Sequence, residues 1–283
     1  MDPSSPSSGP RPRPDLRAAA LLLLCTLLPV SQALGAEVLR IGGTGAAMAT
    51  FRILAQEFAK THPGVTLQMP PSLGSSGGLK ALIEGQLDLA LSARVLREEE
   101  AGHDLTLIEI GRSPLAFAVS TGTPLASLRL REVAEIYEGK RRTWPGGLPI
   151  RLVLRPAGDA DTVLLKAMSP RMSRAVGAAL ERPGMVVADN DQDNAAFLET
   201  LPGAFGTTVV AQIRSERRAL TPLVLDGVAP TPEALLRGHY PYARNLYVAL
   251  RKQPSALVEA FVGFVRSHTQ TLTDLGYIPS AQE

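Results

Sequence analysis

The sequence predicts an α/β fold with a largely parallel sheet. Short apolar runs typical of buried strands alternate with segments whose apolar residues recur at helical spacing, and turns rich in glycine or proline separate them. The composition agrees, because 45% hydrophobic and 20% charged residues are ordinary values for a globular domain. The 283 residues carry 29 Lys and Arg against 27 Asp and Glu, and this net charge of +2 argues against a dedicated nucleic-acid binder.

The first 36 residues have the pattern of a secretory signal peptide. Arg11, Arg13 and Arg17 precede an apolar run at 18–30, and small residues follow it. That run is shorter than the ~20 residues that a membrane-spanning helix needs, so we expect cleavage and export to the periplasm. The predicted mature chain, residues 37–283, spans no membrane. It also contains no cysteine, which excludes an internal disulfide framework.

The apolar pattern places the elements in order along the mature chain. The first apolar run is followed by the glycine turn GGTGAAM and then by Phe51, Leu54 and Phe58 at helical spacing, which predicts strand, turn and helix. The unit repeats after Pro63 and Gly64, with SLGSSGG as its turn. The predicted strands are 38–41, 65–69, 87–91, 105–110, 114–120, 150–154 and 245–251. The predicted helices are 49–60, 79–84, 128–137, 161–168 and 256–275.

Six ordered segments resemble the phosphate-binding-protein branch of the bacterial periplasmic solute-binding proteins, which deliver ligand to membrane ABC transporters. The segments are GGTGAAM, LGSSGGLKALIEGQLDLALSAR, LASLRLREVAEIYEGKRRTW, LRPAGDADT, LPGAFGTTVV and the closing stretch that begins YPYARNLY. The resemblance implies a two-lobed, type II Venus-flytrap fold with the ligand in the cleft. It places 37–113 and 221–283 in lobe I and 114–220 in lobe II. The expected partners are a small anion and the membrane subunits of an ABC transporter, and the expected state is a monomer.

Two turns are candidate anion sites, because each opens a helix whose first N–H groups are unpaired and whose dipole attracts negative charge. The first turn, where small side chains let a ligand approach the backbone, is Thr44, Gly45, Ala46 and Ala47. The second, where hydroxyls add donors, is Ser75, Ser76 and Gly77. Such a turn is also a common helix cap, so the residues alone leave both interpretations open.

The resemblance adds three side chains to the candidate site. Arg155 follows the predicted strand 150–154 and matches the arginine with which the family grips its anion, a role that suits a planar fork of donors. Ser92 and Arg94, at the end of LDLALSAR, match a Ser-Arg ending found in part of the family. Without that match, a surface salt bridge is the ordinary role of such an arginine.

The ligand loop departs from the phosphate pattern of the family. Asp159, Ala160 and Asp161 stand where family members carry a Ser-Gly-Thr run, and Ala46 and Ala93 replace two further polar contacts. A carboxylate beside a phosphate dianion is repulsive unless one partner is protonated or a cation lies between them. The expected phosphate contacts are therefore reduced to the arginine, one serine and the backbone turns.

Two interpretations of the acidic residues remain open. In the first, Asp161 caps its helix and Asp159 pairs with Arg155 or Arg94, so that oxyanion binding survives in altered form. In the second, the acids face the cleft and recognise a cationic or zwitterionic ligand.

The sequence carries no catalytic or metal-binding motif. Asp189, Asp191 and Asp193 resemble the opening of a calcium loop, but Asn194 occupies its glycine position, and the histidines lack zinc spacing. No GxSxG elbow occurs. We therefore expect no enzyme and no cofactor, but an extracytoplasmic protein that captures phosphate or a phosphate-like oxyanion for an ABC transporter. The alternative is a ligand-free or differently specific flytrap domain that acts as a regulatory or interaction module.

Overall fold

The computed structural model describes residues 37–281. The predicted signal peptide lies outside the described residues. Within them, no helix has both the length and the apolar character that crossing a membrane requires.

Strands and helices alternate along this part of the chain. The strands are β1 (Glu37–Gly43), β2 (Val65–Gln68), β3 (Leu89–Ser92), β4 (Leu105–Ser120), β5 (Ser127–Leu128), β6 (Arg151–Leu154), β7 (Val186–Val187), β8 (Ala204–Val209), β9 (Leu220–Pro222), β10 (Val224–Leu225), β11 (Ala243–Arg251) and β12 (Ile278–Pro279). The helices are α1 (Gly45–Thr61), α2 (Gly74–Ile83), α3 (Glu98–Ala101), α4 (Leu130–Tyr137), α5 (Ala160–Ala167), α6 (Pro170–Glu181), α7 (Asp191–Thr200), α8 (Val210–Glu216), α9 (Pro232–Leu236), α10 (Ala256–Ser267) and α11 (Thr269–Asp274).

The main sheet is mixed, not largely parallel as predicted. Its strand order is β2-β1-β3-β11-β4-β8-β6-β7, with β9 and β12 also paired to β4. The pairs at the two ends of the sheet are parallel, as βαβ connections require. The two long strands in the middle, β4 and β11, pair antiparallel with each other and with their other neighbours. The alternating pattern therefore predicts the flanks of the sheet but not its centre.

The predicted strands 105–110 and 114–120 form one continuous strand, β4. Its residues up to Pro114 pair with β11, and its residues from Leu115 onward pair with β8. Pro114 lies where the partner changes, at the end of the first ladder, so the N–H that proline lacks is not needed there. The proline that suggested a break is therefore accommodated within the strand.

The predicted helix 256–275 is interrupted. α10 ends at Ser267 and α11 begins at Thr269, because His268 between them leaves the helical conformation, with φ −88° and ψ 48°. The sequence does not predict five helices, which are α3, α6, α7, α8 and α9. Three of them carry clear caps, because Ser169, Asn190 and Thr231 accept hydrogen bonds from the N–H groups of Met172, Asp193 and Ala234.

Two large apolar cores are built on the main sheet. The first includes Phe51, Phe58 and Phe261, from α1 and α10. The second contains the larger aromatics Phe117, Tyr137, Trp144 and Phe205, packed together with Leu223, Leu225 and Tyr240. The last three residues lie in the segment that the sequence assigned to lobe I. The lobe boundaries stay a prediction, and this packing favours a return to lobe I near residue 241.

Helix α2 lies directly against the end of β1. A Cβ atom at Gly78 would come within 2.5 Å of the Gly43 Cα atom, whose own φ of +131° favours glycine. We therefore expect Gly78→Ala to lower the free energy of unfolding by about 1–3 kcal/mol, because the backbone must move. Gly263 is the control: it lies in the middle of α10 with nothing within 4 Å, so Gly263→Ala should stabilise the protein by about 0.5–1 kcal/mol. Urea unfolding measures both. Equal effects would contradict the close approach.

Candidate functional site

Three helices begin at one buried group of charged residues. α1 starts after Thr44, α5 after Asp159 and α7 after Asn190. The first N–H groups of a helix lack partners within it, and this end carries the positive pole of the helix dipole. The acid–arginine cluster, which lies where these ends meet, consists of Arg155, Asp159, Asp161, Asp191 and Arg244.

Asp191 is the most completely bonded carboxylate of the cluster. Its Oδ2 accepts hydrogen bonds from the Thr44 hydroxyl at 3.1 Å and from the Ala46 N–H at 3.0 Å. Its Oδ1 accepts from Nη1 and Nη2 of Arg244 at 3.0 and 3.1 Å, and Arg155 Nη2 lies 3.9 Å away. Thr44 makes no capping bond to its own helix, so Asp191 caps α1 from another helix. We call the Thr44 hydroxyl, the Ala46 N–H and the Arg244 guanidinium the oxyanion cradle.

The other two carboxylates begin helix α5. Asp159 is the N-cap: its Oδ1 accepts from the Asp161 N–H at 2.9 Å and its Oδ2 from Arg155 Nη2 at 2.7 Å. The expectation that Asp161 caps this helix is therefore wrong, because Asp161 lies inside the first turn. Its side chain, 1% exposed, accepts from Arg244 Nη1 at 2.6 Å and from the Thr207 hydroxyl at 3.0 Å. Asp159 thus pairs with Arg155, while Asp161 pairs with Arg244.

The cluster holds three carboxylates and two guanidinium groups, a formal net charge of −1. Burial favours the protonated form of Asp191, but the charges of Arg244 and Arg155 and the Ala46 N–H outweigh it and lower its pKa to about 2. Burial and the nearby Asp161 charge raise the pKa of Asp159. The positive helix ends help to stabilise the excess negative charge. These opposite pKa shifts keep the Asp191 carboxylate ionised and make Asp159 the carboxylate that takes up a proton more readily.

Arg155 is buried and carries a spare donor. Its Nη1 donates to the Ala188 carbonyl at 2.8 Å and its Nη2 to Asp159. Its Nε has no hydrogen-bond partner among the described residues although the atom is buried. Burial alone would lower the pKa of Arg155, but the carboxylates of Asp191 and Asp159 raise it, so the guanidinium stays charged. A buried unpaired N–H is costly, which makes this group a candidate donor to a ligand.

The second predicted turn makes different contacts. The Ser75 hydroxyl accepts from the Ala93 N–H at 2.9 Å, and the Ser76 hydroxyl accepts from Arg94 Nη2 at 2.9 Å. Arg94 also donates twice to Glu100, at 2.7 Å each. Its backbone bonds the Ser92 hydroxyl. Ser76, Ser92 and Glu100 therefore all bond Arg94, and none of these contacts is to the acid–arginine cluster.

The remaining candidates have simpler roles. Gly45 accepts a hydrogen bond from the Gln192 side chain at 2.9 Å through its carbonyl, and a Cβ atom there would collide with the same side chain. Ala47 packs in the first apolar core. Gly77 lies in the first turn of α2, where a Cβ would contact Leu73.

A small cavity of about 10 Å³ adjoins the cradle. Its lining includes Thr44, Ala46, Ala93 and Arg244. This volume holds about one water molecule and is too small for a tetrahedral oxyanion. Ala46 and Ala93, the two positions at which the resemblance leads us to expect polar contacts, both line this cavity.

Two residues of the cluster, Asp191 and Arg244, were absent from the sequence candidates. In the sequence, Asp191 belongs to an incomplete calcium loop. Among the described residues, no group of three or more His, Cys, Asp or Glu side chains has a metal-binding arrangement. Two sequence signals point to these residues. Asn190, a typical N-cap residue, directly precedes Asp191, and Arg244 is a charged residue near the start of a mostly buried apolar strand.

Comparison with known proteins places the chain in a family. A family model described as PBP superfamily domain matches residues 30–269. Protein SphX of Synechococcus elongatus is 24% identical over 94% of this chain and 86% of its own length. The phosphate-binding protein PstS of Bacillus subtilis is 25% identical over 85% of this chain and 80% of its own length.

A solved structure of a putative phosphate ABC transporter substrate-binding protein from Clostridium perfringens, with bound phosphate, aligns with a TM-score of 0.72. It is 20% identical and covers 87% of this chain and all of that one. At this identity the likeness concerns the fold. The family match shows that this chain belongs to the PBP superfamily, and the structural likeness shows that it has the two-lobed α/β fold of that phosphate-binding relative.

Proposed function

We propose that this chain is an extracytoplasmic solute-binding protein that captures a small oxyanion, phosphate or phosphate-like, and delivers it to the membrane subunits of an ABC transporter. The observation that carries the proposal is the oxyanion cradle. A hydroxyl, a helix N-terminal N–H and a guanidinium converge on the two oxygen atoms of one carboxylate. Phosphate oxygens accept the same bonds, and helix N-termini and arginine forks are general means of holding them.

Neighbouring donors extend the cradle. Arg155 lies 3.9 Å from Asp191 and keeps Nε unpaired, so it has donor capacity for a larger anion. The relatives that bear the name phosphate-binding protein support phosphate as the first ligand to test. Export through a signal peptide and monomeric binding between two lobes belong to the same proposal.

Titration calorimetry with inorganic phosphate tests the proposal. The mature chain, residues 37–283, is unfolded in guanidinium, dialysed and refolded, so that it begins free of ligand. We expect saturable binding, and we expect Arg155→Met to weaken it about 10- to 100-fold, the effect of losing charged hydrogen bonds. Arg94→Met is the matched control, because Arg94 bonds Glu100 and not the cluster. Equal losses in both variants would contradict the assignment of the site.

A double variant tests the charge of the cluster. Asp159→Ser with Asp161→Thr changes the formal net charge from −1 to +1 and introduces two hydroxyl donors. Phosphate affinity should then rise about tenfold or more, because a nearby repulsive charge is removed. Absence of phosphate binding in both the parent protein and this double variant would refute oxyanion capture.

A second candidate function is a regulatory or interaction module that holds no solute. Two observations favour it: the cluster is already negative, and the adjoining cavity of about 10 Å³ is smaller than phosphate. The same titrations separate the two functions. Oxyanion binding to the parent protein supports capture. Absence of binding in both the parent protein and the double variant supports the regulatory or interaction module.

A further inference from the structure

We propose that Asp191 is an internal ligand of the oxyanion cradle, and that an external oxyanion binds only by displacing it. The inference rests on the proposed function for the identity of the external ligand. Its own basis is the set of contacts that Asp191 makes. Asp191 is thereby the residue that determines the affinity of the site.

The first step is that the cradle donors are already engaged. Thr44 has one hydroxyl hydrogen and Ala46 one amide hydrogen, and both point at Oδ2 of Asp191. Both Nη atoms of Arg244 donate to Oδ1. An external oxyanion therefore cannot use the hydroxyl hydrogen, the amide hydrogen or the guanidinium hydrogens that point at Oδ1 while Asp191 holds them.

The second step is that the two anions do not fit side by side. The space next to the cradle is about 10 Å³, and the Asp191 side chain is 6% exposed. An added anion would also increase the negative charge of a cluster whose formal charge is already −1. Occupation by Asp191 and by an external oxyanion is therefore mutually exclusive.

The third step is that Asp191 can leave as a unit with its helix end. It is the first residue of α7, and the adjacent Gln192 makes a second side-chain bond to α1, to the Gly45 carbonyl at 2.9 Å. Both bonds join the N-terminus of α7 to the N-terminus of α1. A separation of these two helix ends would free the hydroxyl, the amide and the guanidinium hydrogens that point at Asp191 together, while Arg244 stays bonded to Asp161.

Competition of this kind lowers the apparent affinity for phosphate. The factor is set by the ratio of molecules in which Asp191 occupies the cradle to molecules in which the cradle is free. The mature protein with Asp191→Gly removes the internal ligand and opens the volume of a carboxylate. Asp193→Gly is the matched control, since it removes an exposed carboxylate from the same helix turn at the same cost in helix propensity. We expect calorimetry to give phosphate affinity about tenfold or more higher for Asp191→Gly than for the parent, and unchanged for Asp193→Gly.

Formate provides a readout that does not depend on phosphate. As the smallest carboxylate it should bind the emptied cradle, and sodium formate should raise the melting temperature of Asp191→Gly more than equal sodium chloride does. The parent and Asp193→Gly should show no such difference. If Asp191→Gly is too unstable to purify, Asp191→Asn, which keeps the shape and loses the charge, should also raise phosphate affinity, though by less, because a neutral amide binds the cradle donors more weakly and is displaced more easily.

The outcomes separate this inference from the proposed function. Formate stabilisation of Asp191→Gly without phosphate binding in any variant supports the internal ligand and refutes phosphate capture. Phosphate affinity in Asp191→Gly or Asp191→Asn that is equal to or below that of a binding parent overturns the internal ligand. Failure of formate to stabilise folded Asp191→Gly also overturns it.

Discussion

Arg244→Met should destabilise the folded protein by about 3–5 kcal/mol, because it leaves buried carboxylates without their counter-charge. Arg244 is 5% exposed and donates to Asp161 at 2.6 Å and to Asp191 at 3.0 and 3.1 Å. Methionine fills similar volume without supplying a charge or a donor. The free energy of unfolding in urea measures the loss.

The matched control is Arg112→Met. Arg112 is an exposed residue of β4. Its partner on β11 is Asn245, the residue that follows Arg244. Its replacement should change stability by less than about 0.5 kcal/mol, as is usual for surface positions. Adding Asp191→Asn to Arg244→Met should recover part of the loss, because one uncompensated charge disappears. A loss no larger than that of Arg112→Met would contradict the central role of Arg244.

The second large effect concerns acid. Burial opposes ionisation of Asp191, but Arg244, Arg155 and the Ala46 N–H lower its pKa to about 2 in the folded protein, against about 3.9 in an unfolded chain. A folded-state pKa below the unfolded value stabilises the protein above pH ~4, and the stabilisation is lost as the pH falls towards 2. The full shift corresponds to about 2–3 kcal/mol.

Asp159 acts in the opposite direction. Burial and the charge of Asp161 raise its pKa, so its contribution to stability is present at low pH and declines as the pH rises through the folded-state pKa. The free energy of unfolding in urea, measured at pH 5 and at pH 3, gives the pH dependence of stability, and replacing Asp191 isolates its contribution from that of Asp159. We expect Asp191→Asn to lose less stability than the parent between pH 5 and pH 3 by about 1 kcal/mol, because the rest of the Asp191 contribution is lost only below pH 3, and Asp193→Asn to behave as the parent does. Identical pH dependence in Asp191→Asn and Asp193→Asn would contradict the low pKa of Asp191.

The sequence predicts those parts of the site that are local in the chain. The turn at Thr44 to Ala47 is a helix start because glycine and small residues follow an apolar strand. Arg155 and Asp159 are four residues apart, at the two ends of the loop between β6 and α5, and the structure pairs them at 2.7 Å. Recognition of the family likewise depends on short ordered motifs, and the two-lobed α/β fold follows from it.

The rest of the site depends on tertiary structure. Asp191 is 147 residues from Thr44, and Arg244 is 83 residues from Asp161, so the sheet order and the docking of α7 on α1 bring them together. No local pattern carries that information. Ser76 and Arg94 show the converse: their residue types suit an anion, but the structure engages them with each other and with Glu100. A donor identified from sequence is free for a ligand only if its neighbours leave it unpaired.

The central position of β4 has a consequence for the order in which the protein is synthesised. β4 is complete at Ser120, but the strands that cover its edges, β8, β9, β11 and β12, begin only at Ala204, Leu220, Ala243 and Ile278. Until these later strands have been translated, the nascent chain therefore carries a long apolar strand whose two edges are unpaired. Such edges template pairing between chains. Chaperone retention of the unfolded chain is accordingly most needed between the emergence of β4 and that of β11.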